Sequence, residues 1–70
     1  MNRTALSIFV KNQRKQLKIT QEQLSIYSGV GLGFVRALEQ GKPNLNMAYV
    51  NRVLNLFGYE VGPVKKENRE

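Results

Sequence analysis

The sequence predicts a compact all-α domain of four to five short helices with a short strand near its C-terminal end. Three observations carry this. Apolar residues recur at three- and four-residue spacing in four separate segments. Gly29, Gly41 and Gly58 each close one of those segments. The 70 residues suffice for one domain and not for two.

The first helix is expected over about 4–17, with Leu6, Phe9, Val10 and Leu17 on one side and Lys11, Lys15 and Lys18 largely on the other. Thr20-Gln21-Glu22-Gln23 is a capping-box pattern: the threonine hydroxyl caps the Gln23 amide and Gln23 reaches back. A second helix therefore starts at Gln21 and runs to about Ser28, where Gly29 supplies the left-handed stop. A third runs from Leu32 to Gln40 on Phe34, Val35 and Leu38, and Gly41 and Pro43 end it. A fourth spans Met47 to Phe57, capped by Asn44 or Asn46, with Met47, Val50, Val53, Leu54 and Phe57 as its buried stripe. Beyond Gly58, Tyr59-Glu60-Val61 alternates apolar and polar until Gly62-Pro63, which fits a strand better than a helix. Residues 1–64 thus make the domain, and 65–70 a flexible charged tail.

Composition narrows the function. Cysteine and histidine are both absent, which excludes disulfides, zinc fingers and other thiolate or imidazole metal sites, and no cofactor is expected. The five acids, Glu22, Glu39, Glu60, Glu67 and Glu70, are scattered and none pairs with a candidate nucleophile, so an enzyme is not expected. No long apolar run follows the start, so the expected location is cytoplasmic, away from membranes. The net charge is +6 and unevenly placed. Residues 1–21 hold Arg3, Lys11, Arg14, Lys15 and Lys18 and no acid, while 22–64 balance. A basic segment on a neutral domain points to a polyanionic partner, although a solvated helix face has the same composition.

The strongest pattern is the pair of short helices joined at Ser28-Gly29-Val30-Gly31. Ser25 is small where the helices cross, Gly29 makes the tight turn, and Leu24, Val30, Val35 and Leu38 form the core that holds one helix across the other. That is the geometry of a helix-turn-helix, whose second helix stands out to enter a major groove. Gly29, Gly31 and Gly33 also raise a nucleotide loop, but no strand precedes them and no lysine follows at P-loop spacing. Phe9, Phe34, Tyr49 and Phe57 raise stacking platforms for single strands, but Phe9 and Phe57 lie on apolar helix faces.

Arg14, Thr20 to Leu24, Gly29-Val30, Val35, Leu38 to Lys42 and Leu54 to Gly58 together resemble the phage-repressor (Xre or Cro) helix-turn-helix family, with its lambda-repressor-like fold. Within it, Gly31 to Arg36, Leu38 to Pro43 and Phe57 to Val61 resemble small HipB-type antitoxins. The resemblance implies a homodimeric repressor of double-stranded operator DNA, an inverted repeat. It also implies autoregulation and a HipA-like serine/threonine kinase toxin as partner; a stand-alone regulator is the alternative. It implies an Arg14–Glu39 ion pair between the first and third helices and a phosphate contact from Gln21. Gln40 and Lys42, at the far end of the third helix, are further phosphate candidates, as are Lys11 and Lys15.

The third helix departs from the family pattern. Gly31, Leu32 and Gly33 stand where many members carry side chains that bond to bases, and none can make a bidentate base contact. Base readout then rests on Arg36, on apolar contact by Leu32, or on DNA shape, with Gly33 leaving room for the helix and Ala37 beside them. Arg36 follows Leu32 and Gly33 by about one turn and is expected to point outward, toward guanine or only toward phosphate. Tyr59, Val61 and Val64 are too apolar for a free tail, and a lone strand leaves its amides unpaired. Pairing with a symmetry mate is therefore the expected dimer contact.

Overall fold

Thr4 opens the first helix by a reciprocal cap. Its hydroxyl accepts from the Ser7 N–H at 3.0 Å, and the Ser7 hydroxyl oxygen accepts from the Thr4 N–H at 2.9 Å. The computed structural model describes residues 3–65, with four helices among them: α1 (Ala5–Gln16), α2 (Gln21–Ser28), α3 (Leu32–Gln40) and α4 (Met47–Asn55). Thr20 and Gln23 form the capping box at the start of α2, with bonds of 3.0 and 2.8 Å. Asn46, not Asn44, caps α4 by accepting from the Tyr49 N–H at 3.1 Å. Asn44 instead takes a left-handed turn, with φ 61°.

Three helices end in the same way. Lys18, Gly41 and Gly58 have φ of 59°, 78° and 82°, and the next residue donates back to a carbonyl five positions earlier. The acceptors are Arg14, Ala37 and Leu54 respectively. Glycine adopts this conformation without strain, whereas Lys18 does so with a side chain.

The core is Val10, Leu24, Val30, Val35, Leu38, Val50, Val53 and Leu54, with Leu6, Phe9, Ile19, Phe34, Leu45 and Phe57 packed against it. Each helix contributes, and α3 packs on both α1 and α2. Two residues assigned to the apolar stripes do not join it. Leu17 is 55% exposed because α1 has already ended and Lys18 turns the chain away. Met47 is 64% exposed on the first turn of α4. α4 also stops at Asn55, short of Phe57: Leu56, Phe57 and Gly58 each bond three residues back, tightening the last turn.

The expected strand is absent among the described residues, and so is a fifth helix. Residues 59–61 lie in neither helix nor strand, and no second strand among the described residues offers them a ladder. They are held in cis instead. The Val61 N–H donates to Asn51 Oδ1 at 2.7 Å, and the Tyr59 ring meets Phe9 edge-on at 4.7 Å. Val64 remains 88% exposed. The charged tail expected at 65–70 lies, from 66 onward, outside the described residues.

Candidate functional site

α3 is the helix on which the site is built. At 100° per residue, Val35, Leu38 and Glu39 fall on one side, and all three are buried. Gly33, Arg36 and Gln40 fall on the opposite side and are exposed, with Ala37 half-buried among them. Leu32, half-buried, flanks this face, and Gly31 caps the helix without a side-chain hydrogen bond. Arg36 takes part in no ion pair among the described residues. Gly33, Arg36, Ala37 and Gln40 are thus brought onto one face, spaced i, i+3, i+4 and i+7.

The turn before α3 fixes its direction. Gly29, at φ 78°, donates its N–H to the Ser25 carbonyl at 2.9 Å. The Ser25 hydroxyl donates to the Val30 carbonyl, so one side chain of α2 holds the first residue beyond the turn. Leu24, Val30, Val35 and Leu38 are each 5% exposed or less, so the unit is locked from beneath.

A polar network fixes α3 from the other side. Glu39 Oε2 accepts from Arg14 Nε at 2.6 Å, and Oε1 accepts from Arg14 Nη2 at 3.1 Å. The Arg14 Nη1 donates to the Ile19 carbonyl at 2.9 Å. These two side chains are only 12% and 3% exposed. The bidentate geometry joins α1, the α1–α2 loop and α3 in one rigid arrangement. Gln21 joins as well: its Nε2 donates to Glu39 Oε1 at 3.1 Å. One of its two amide N–H groups is thereby tied to α3, and the side chain is half-buried.

The basic candidates are scattered around α3. Lys11 and Gln40 line one cleft of about 220 Å³ with Arg3, Asn12 and Glu39. Lys15 is exposed on α1, and Lys42 is exposed just after α3. Sequence reasoning counted Arg3 in the basic segment but placed neither it nor Asn12 beside α3, since that proximity depends on how α1 packs. It raised Phe34 and Tyr49 as aromatics but missed the cluster that they form with Arg52 on the other flank. Phe34 meets Tyr49 edge-on at 5.6 Å, Arg52 lies over the Tyr49 ring at 5.4 Å, and the Arg52 guanidinium lies near Gly29. The Tyr49–Arg52 spacing of three on α4 was the available signal.

The described residues contain no helix long and apolar enough to cross a membrane and no cluster of acids able to hold a metal ion. Comparison with known proteins agrees with the geometry. Residues 10–63 match the helix-turn-helix family. The chain is 34% identical over 56 residues to an uncharacterized HTH-type transcriptional regulator of Sinorhizobium fredii (strain NBRC 101917 / NGR234). That match covers 80% of this chain and 74% of the relative. No solved structure matches. With an α2–turn–α3 unit locked from beneath and a family match over most of its length, the chain belongs to the Xre-like helix-turn-helix family of transcriptional regulators.

Proposed function

We propose that the protein is a sequence-specific repressor that binds double-stranded DNA as a homodimer, with α3 in the major groove. The observation that carries this is the division of α3 into an anchored inner face and an exposed outer face bearing Arg36 and Gln40. Arg36 grips a guanine through O6 and N7, while Lys11, Lys15, Lys42 and Gln40 meet phosphates. Gln21 gives one amide N–H to Glu39 and offers the second to a phosphate. The chain acts as a binder in the cytoplasm and needs neither catalysis nor a cofactor.

Dimerisation runs through residues 59–64. Tyr59, Val61 and Val64 are exposed apolar side chains, and Val61 borders two apolar grooves that share Leu6. Pairing of this segment with its symmetry mate supplies the sheet partner that one chain lacks. The two copies of α3 then lie one DNA turn apart, about 34 Å, or a multiple of it. The operator is accordingly an inverted repeat.

The narrower reading is an antitoxin that represses its own operon and binds a HipA-like kinase toxin on a surface away from α3. Its support is the resemblance of Gly31 to Arg36 and of Leu38 to Pro43. A stand-alone regulator is the second reading, favoured by the relative, which bears only a regulator's name.

Titration of labelled promoter duplex from the protein's own operon tests the main claim. Selective binding that weakens steeply with salt is expected; equal affinity for unrelated duplex contradicts it. Sedimentation of a chain truncated after Gly58 tests the dimer contact, since a truncated form that still dimerises removes the segment from the interface. Recovery of a kinase-like protein with the endogenous chain supports the antitoxin, and recovery of DNA alone supports the stand-alone regulator.

A further inference from the structure

Gly33 is a glycine that this chain does not itself require. Its φ is not among the positive values, which belong to Gly29, Gly41 and Gly58. A Cβ built at Gly33 would meet nothing within 4 Å. Neither the backbone nor the packing therefore calls for glycine, and alanine is the better helix former at a helical position. Gly31 has the same open space, but it is the N-cap, where glycine is an ordinary residue.

One turn along the same row of α3 stands Ala37, which carries only a methyl group. The adjacent row is Arg36 and Gln40, both long and polar. The outer face is therefore low along one row and tall along the next. Against a groove wall, a low row lets the helix backbone come close, and a side chain at 33 props it away. Hydrogen bonds weaken steeply with added distance and misalignment, so a propped helix withdraws Arg36 from base edges while leaving phosphates within reach.

We propose that the Gly33–Ala37 row is a seating track that sets how deeply α3 enters the duplex, and thereby whether Arg36 reads a base. Gly33 is in this sense a specificity-determining position that acts through Arg36. The inference rests on the DNA-binding reading above.

A double-mutant cycle tests it on the full chain, with Gly33→Leu, Arg36→Ala and the pair measured on the duplex that the wild type selects and on unrelated duplex. Thermal unfolding of each variant reports folding separately. Gly33→Ala is included because the fold accepts it: its Tm should rise by about 2–6 °C, while affinity for the selected duplex falls by about tenfold. Affinity for unrelated duplex should change little. In the Gly33→Leu background, Arg36→Ala should change selected-duplex affinity less than about threefold, against roughly tenfold or more in the wild type. Undiminished selective binding by both Gly33 variants, with the wild type binding selectively, overturns the seating track alone. So does an Arg36→Ala effect of equal size in both backgrounds. A wild type without selective duplex binding overturns the DNA-reading assignment and this inference with it.

Discussion

Glu39 and Arg36 sit three residues apart on one nine-residue helix, and they are treated in opposite ways by the rest of the chain. Glu39 is buried and accepts three hydrogen bonds, two from Arg14 and one from Gln21. Arg36 is exposed and makes no ion pair among the described residues. The difference shows how a domain this small presents a rigid reading head. The inner face of α3 carries the interactions that fix its position, so the outer face is released from any structural task. Mutations on the two faces should then separate into losses of folding and losses of recognition.

The largest effect is expected at Glu39. Replacement by alanine strands the Arg14 guanidinium in a nearly closed site, and loss of one partner of a buried pair costs about 3–5 kcal/mol. Chemical denaturation measures it directly. A loss below about 1 kcal/mol, the range of exposed pairs, would mean that α3 is not anchored by this contact. Arg36→Ala should behave in the reverse manner: unfolding free energy within about 0.5 kcal/mol of wild type, and roughly 1–3 kcal/mol lost against the selected duplex. If denaturation and binding fall together, the two faces are not independent. Gln21→Ala sharpens the contrast because its amide bonds to Glu39. It should cost on the order of 1 kcal/mol of stability through the lost bond to Glu39. A binding loss with unchanged stability would place the amide on phosphate instead. The smallest effects belong to Lys15→Ala and Lys42→Ala. Each should weaken all sequences alike and flatten the log–log salt slope by about one unit, as read from titrations at several salt concentrations.

Local chemistry made most of the fold legible. Thr20 with Gln23, and the stops at Gly29, Gly41 and Gly58, act within one turn, so residue order alone reveals them. The Thr4–Ser7 cap was hidden because serine replaces the usual acid or amide of a capping box. The core residues Leu24, Val30, Val35 and Leu38 followed from their places around the Gly29 turn in the helix-turn-helix pattern. Exposure at helix ends did not, since Leu17 and Met47 have the right spacing but lie beyond the reach of neighbouring helices. The strand expected at residues 59–61 does not form within one chain, for a different reason. Alternation describes which way side chains point, but a strand exists only with a partner, and here Asn51 takes the Val61 amide. At the site, the outward face of α3 was readable from periodicity. The tie from Gln21 to Glu39 was not, because it joins residues 18 apart in sequence through tertiary packing.

Binding-site selection from random duplex, run in parallel on the wild type and Arg36→Ala, tests most directly whether the outer face of α3 reads sequence. The wild type should enrich an inverted repeat, and Arg36→Ala should lose its preference at one guanine position in each half-site while keeping the rest. If the Arg36→Ala protein enriches the same sequence with the same preference at every position, Arg36 binds only phosphate and the outer face of α3 does not read bases through it.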